Sequence, residues 1–171
     1  MRNTFMIGGV AVVAIIIGGF VFVYGGQNFS GTPFSEATGN VPVAIAVPFT
    51  ELALGTQSDV STRTNYLITS MSELDKLWEM VNATSTPPTV DFSSNYVAAV
   101  FAGQRMTGGY AIAVSKVADT QNRLVTITIT SPDSSCMVTQ STTAPYQIVE
   151  IPKTSLPFTH EDQTSTTSCS Q

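Results

Sequence analysis

Charge is scarce in this chain: Asp, Glu, Lys and Arg make up 11% of its 171 residues, and the balance gives a formal net charge of -5. The basic residues Arg2, Arg63, Lys76, Arg105, Lys116, Arg123 and Lys153 are scattered. No Lys/Arg cluster exists to displace counterions from a phosphate backbone, which argues against a nucleic-acid partner. Histidine occurs once, as His160, in a polar stretch beside Glu161 and Asp162. There is no His-Glu-x-x-His, Cys-x-x-Cys, Gly-x-Ser-x-Gly or P-loop pattern, so the ligands and nucleophiles of the usual metal, acyl-transfer and phosphate sites are lacking. Glu51 and Glu150 are the only acids within expected strands, one to a strand. The expectation is a protein that is not an enzyme and carries no metal or cofactor. Cysteine occurs twice, at Cys136 and Cys169. In an oxidising compartment the two form one bridge or stand as separate thiols, and spacing alone does not choose.

What the chain does have is a charge-free apolar run from Phe5 to Tyr24, enough helix to cross about 30 Å of hydrocarbon. It ends in Val-Tyr-Gly-Gly, not in a small-x-small cleavage site, which favours a retained transmembrane anchor over a signal peptide. Arg2 precedes the run and no basic residue follows before Arg63. The positive-inside bias therefore leaves residues 1–4 in the cytoplasm and places the rest outside, as in a single-pass protein of the cell membrane. Residues 25–40, rich in Gly, Ser, Thr and Asn, read as a flexible linker.

A β-rich domain over residues 41–158 follows. Val43–Phe49, Glu51–Leu54 and Asn65–Thr69 have strand character. Ser72 reads as the N-cap of the one soluble helix, with Glu73 and Asp75 in its first turn and Leu74, Leu77, Trp78 and Val81 on one apolar face. Leu124–Thr130 alternates, which predicts Val125, Ile127 and Ile129 in the core and Thr126, Thr128 and Thr130 in water. Val138–Thr142 and Tyr146–Ile151 are the last expected strands, and the polar tail, 159–171, is expected to be mobile. The fold class is mainly β: an antiparallel β-sandwich or partly open barrel with one packed α-helix, preceded by the transmembrane helix.

The domain is organised around Asp91–Val117. Tyr96–Ala102 is a short, near-continuous apolar run, as a fully buried strand requires, and Tyr110–Val117 alternates large and small residues. Between them lies Gly103-Gln-Arg-Met-Thr-Gly-Gly109. Gly108 and Gly109 tolerate positive φ, so the two strands are expected to pair as a hairpin with Arg105 exposed at its tip.

The tip GQRMTGGY, preceded by Val90-Asp91-Phe92-Ser93 and followed by Ala144-Pro145-Tyr146 and Ile151-Pro152-Lys153, resembles the C-terminal domain of the bacterial protease complex subunit PrcB. The resemblance spans Val41 to Phe158, and Met106 stands where that family usually has proline. It implies an accessory subunit, an extracytoplasmic binding module that associates with and stabilises an exported protease. The residues that would grip the partner are Gln104, Arg105, Thr107, Gly108, Gly109 and Tyr110. Two alternatives come from other classes: a protease inhibitor, since Thr107–Tyr110 resembles the Thr-Gly loop of chagasin-like inhibitors, and a structural envelope protein.

Overall fold

The computed structural model describes residues 43–169 throughout and, before them, only the backbone of two short strands. The chain divides into two units, Met1–Gly39 and Asn40–Gln171. In the first, β1 (Ala14–Ile17) and β2 (Phe20–Val23) pair antiparallel. The transmembrane helix expected over 5–24 and the linker expected over 25–40 otherwise lie outside the described residues. No described helix is long and apolar enough to cross a membrane.

The second unit holds two four-stranded sheets and one helix. One sheet has the order β4 (Thr50–Gly55), β9 (Tyr146–Pro152), β6 (Asn95–Phe101), β5 (Thr64–Ile68), all antiparallel. The other runs β10 (Phe158–Thr167), β8 (Arg123–Pro132), β7 (Ala111–Asp119), β3 (Ile45–Ala46). The sandwich alternative is therefore the observed one, without barrel closure.

Strand β6 shows why its sequence is apolar without alternation: it is covered on both faces. Val97, Ala99 and Phe101 join Ile148 and the helix residues Leu74, Leu77 and Trp78 in one core. Ala98, Val100 and Ala102 join Ile112, Val114, Val125, Ile127, Val149 and Ile151 in the other, between the sheets. Helix α1 (Met71–Met80) presents the expected face. Its N-cap is Ser70, not Ser72: the Ser70 Oγ accepts from the Glu73 N–H at 3.3 Å, while the Glu73 carboxylate accepts from the Thr69 N–H at 2.8 Å. That reciprocal pattern needs a Ser three residues before the Glu, which Ser72 is not. Asn82, at φ 51°, turns the chain out of the helix, and the Trp78 indole N–H donates to the Ser85 carbonyl at 2.8 Å, fixing the ring as core.

Further expectations are corrected. First, β6 and β7 do not form a hairpin: β6 pairs β5 and β9, β7 pairs β8 and β3, and residues 102–110 cross from one sheet to the other. Both edges of β6 are taken, by β5 and β9, and β7 instead lies in the sheet that covers one face of β6. Second, β7 is not a regular alternating strand. A bulge at Ser115 shifts the register between Val114 and Lys116, bringing Val114 and Val117 to the same core. Third, residues 138–142 form a loop, not a strand. Fourth, the polar tail is not without secondary structure. Residues 158–167 form β10, which pairs parallel with β8 from Phe158↔Arg123 to Thr167↔Pro132, and Cys136 is bridged to Cys169 with their Cα atoms 5.3 Å apart. The sheet is thus not wholly antiparallel, and of the threonines expected in water Thr126 is buried and Thr128 and Thr130 are half-buried, whereas Val125 and Ile127 lie in the core as expected.

Candidate functional site

Four segments meet at one end of the sandwich: residues 56–63 between β4 and β5, 102–110 between β6 and β7, 133–145 between β8 and β9, and the chain after β10. The chain enters at the other end, where Ile45 pairs with Asp119. Backbone hydrogen bonds knit the first end together. Arg105 and Thr143 exchange both of theirs, at 2.7 and 2.9 Å, and the Gly108 N–H donates to the Thr139 carbonyl at 2.9 Å. The Gln104 N–H donates to the Ser61 carbonyl at 2.9 Å, and the Thr143 hydroxyl to the Thr107 carbonyl at 2.9 Å. These bonds satisfy many of the tip's main-chain groups internally and hold it in one backbone arrangement.

The glycines at the tip divide in their roles. Gly103, at φ +75°, and Gly109, at φ +85°, hold left-handed conformations, whereas Gly108 does not. A Cβ on Gly103 would stand 2.8 Å from the Thr62 carbonyl carbon, so that position is closed by backbone. Positive φ thus falls at Gly103 and Gly109, not at the adjacent pair.

Arg105 is no free side chain at a hairpin tip. Its guanidinium donates from Nη2 to the Ala102 carbonyl at 3.0 Å and sits 5.4 Å from the centre of the Tyr110 ring. Its Nε is buried without a partner. What projects instead is Met106, 79% exposed, together with the fully exposed Met137 and with Leu54, 58% exposed. Beside Leu54 an apolar cleft of about 290 Å³ is lined by Gly55, Tyr110, Ile112 and Pro145. A polar cleft of about 300 Å³ lies between Gln57, Ser58, Asp59, Gln104 and Thr142. Gln104 is exposed and Thr107 half-buried, so of the six residues expected to grip a partner, Gln104 alone is presented without internal side-chain duties.

Residues 96–152 match the PrcB C-terminal family. The PrcB C-terminal match covers about a third of the chain, from the second residue of β6 to the end of β9, and so contains the whole crossover tip and its partner loop. Helix α1, β4, β5 and β10 lie outside it. No curated protein and no solved structure matches the chain.

Glu51 and Glu150 stand one register apart on the β4–β9 ladder and face opposite sides, so they are not a carboxylate pair. His160 is exposed on β10. Among the described residues no group of His, Cys, Asp or Glu is placed to hold a metal.

Sequence reasoning missed three residues. Thr143 holds the tip; Gln147 bridges the sheets, accepting from the Val114 N–H at 2.6 Å and donating to Glu51 at 2.6 Å. Arg123, buried at the far end, is forked to Asp119 at 2.7 and 2.7 Å. For Gln147 a signal was present: a Gln inside an otherwise apolar strand needs a buried partner.

Proposed function

We propose that this protein is a membrane-tethered, extracytoplasmic, non-enzymatic binding module that associates with an exported protease as an accessory subunit, with the tip end as its contact surface. The carrying observation is that the PrcB C-terminal match contains the whole crossover loop, which internal hydrogen bonds hold and exposed apolar side chains flank. Exposed Met beside a pre-ordered backbone suits protein contact, since Met adapts to a partner and a rigid loop loses little entropy on docking. The tether follows from the charge-free run over 5–24. The first described residues before β3 lie at the end of the sandwich opposite the tip.

The test is co-purification of the full-length protein with envelope proteases of its host, comparing wild type with M106D/M137D. Because both side chains are exposed, the double variant should melt within about 0.5 kcal/mol of wild type. Loss of the protease by a normally melting variant supports the reading, and undiminished retention removes the tip from it. Inhibition of the protease on mixing would instead favour the inhibitor alternative.

A further inference from the structure

Strand β10 is held to the domain by almost no apolar burial. Phe158 is half-buried, and every residue from Thr159 to Thr167 is exposed. Its attachments include the parallel ladder to β8, the packing of Phe158 against Tyr96 and under Arg123, a fork from Arg63 to Asp162 at 2.9 and 2.7 Å, bonds from the Asp133 N–H to the Thr167 carbonyl at 3.0 Å and from the Ser131 hydroxyl to the Ser165 carbonyl at 3.5 Å, and the Cys136–Cys169 bridge just beyond its end. Exposed ion pairs contribute little, and a strand whose apolar contacts are confined to its first residue belongs to the least stable part of a fold. Arg63 also donates to the Thr64 and Phe101 carbonyls and to Asn65, so it stays anchored on the first sheet whether or not β10 is present. The bridge spans 33 residues and ties the end of β10 to the turn after β8. Beneath β10, at the open edge between the sheets, lies an apolar cleft of about 190 Å³ lined by Leu67, Ala98, Val100, Val125, Ile127 and Phe158.

We propose that the Cys136–Cys169 bridge is a redox latch on β10: its reduction releases the strand from β8 and opens the cleft, while the rest of the sandwich stays folded. The reductant is an external dithiol. One of its thiolates attacks a bridge sulfur to form a mixed disulfide, and its second thiolate resolves that bond. The dithiol leaves as a disulfide, and its two protons pass to Cys136 and Cys169 as two free thiols. Cys169 is exposed and Cys136 half-buried, so the bridge is within reach of such an attack. The two cores contain no β10 residue, apart from Phe158 packed at the margin of one, which is why they outlast the release. The freed edge of β8 then presents unpaired backbone along ten positions, a template for another strand. This inference goes beyond the protease reading and does not depend on it.

Amide hydrogen exchange on the full-length protein, oxidised and then reduced with a dithiol, tests the latch, with thiol alkylation confirming that the bridge has opened. Amides of β10 and their partners on β8 should exchange at least about tenfold faster after reduction, while β6 and β9 stay protected. The C136S/C169S variant should reproduce the reduced pattern without reductant. In the reduced protein D162N should speed β10 exchange further, and in the oxidised protein it should not. Unchanged protection of β10 after reduction would show that the ladder and Arg63 suffice and overturn the latch. Parallel loss of protection in β6 and β9 would make the bridge a staple of the whole domain, and equally overturn it.

Discussion

Gln147 stands between the two sheets with both ends of its amide occupied: Oε1 takes the N–H that the β7 bulge frees from the ladder, and Nε2 meets Glu51. Leu at this position would fill similar space yet strand a buried donor, so Q147L should lower stability by about 1 to 3 kcal/mol in urea unfolding. A variant as stable as wild type would mean that water satisfies Val114. The glycines give a second comparison at this scale. G103A forces a side chain into a left-handed backbone and against the Thr62 carbonyl, and should cost about 2 kcal/mol or more. In G108A the obstacle is the Thr139 hydroxyl, which can rotate away, so the cost should stay under about 1 kcal/mol. The reverse order in thermal melts would return the turn to Gly108. Residue types suggested that glycine makes this loop possible; which glycine carries the positive φ depends on the 61–63 segment, distant in sequence, and was not legible.

Elements that bury a patterned face were readable in advance. The 3.6-residue period of Leu74, Leu77, Trp78 and Val81 and the two-residue period of Val125 and Ile127 both mark surfaces that lie in the cores. Those faces predict that I127D unfolds the domain, because an unpaired buried carboxylate costs several kcal/mol, comparable with the whole stability of a domain. The half-buried Thr128 should accept Asp at far smaller cost, and equal tolerance in circular-dichroism melts would contradict the assigned faces. β10 was illegible for the complementary reason: both its faces meet water, so its Thr, Ser, Gln and acidic residues carry no alternation. The partners of β6 were also hidden, since a Gly-Gly after a strand signals a turn without saying whether the chain returns to the same sheet.

For the molecule as a whole, the described acids give a direction for pH dependence. The Arg123 guanidinium bonded to Asp119 holds that carboxyl below its ordinary range, and Ser93 and Ser94 do the same for Asp91. Hydrogen bonds from Thr69 and Ser135 lower Glu73 and Asp133. A carboxyl with a folded pKa below its unfolded one contributes stability that is full above the unfolded value and is lost as pH falls through the folded one. The thermal midpoint should therefore be level from pH 7 to about 5 and fall below about pH 4. D119N should lower it at pH 7 and flatten the acid slope; an unaltered slope would mean that Asp119 is not coupled to folding. At this scale the family resemblance pointed to the tip, but Thr143 and Met137, far from it in sequence, were brought there only by the fold.

The placement of entry and tip at opposite ends also sets how the domain bears load. A pull between Val43 and the 102–110 loop runs along the strands, so the β6–β9 and β7–β8 ladders are loaded in shear, with many hydrogen bonds sharing the force at once. The two-residue pairing of β3 with β7 lies at the entry end and yields first, lengthening the chain ahead of the domain before either core is disturbed. Stretched in an optical trap, the protein should give a small early extension followed by one cooperative rupture at much higher force. A domain that gives way gradually would show that the ladders are peeled one bond at a time.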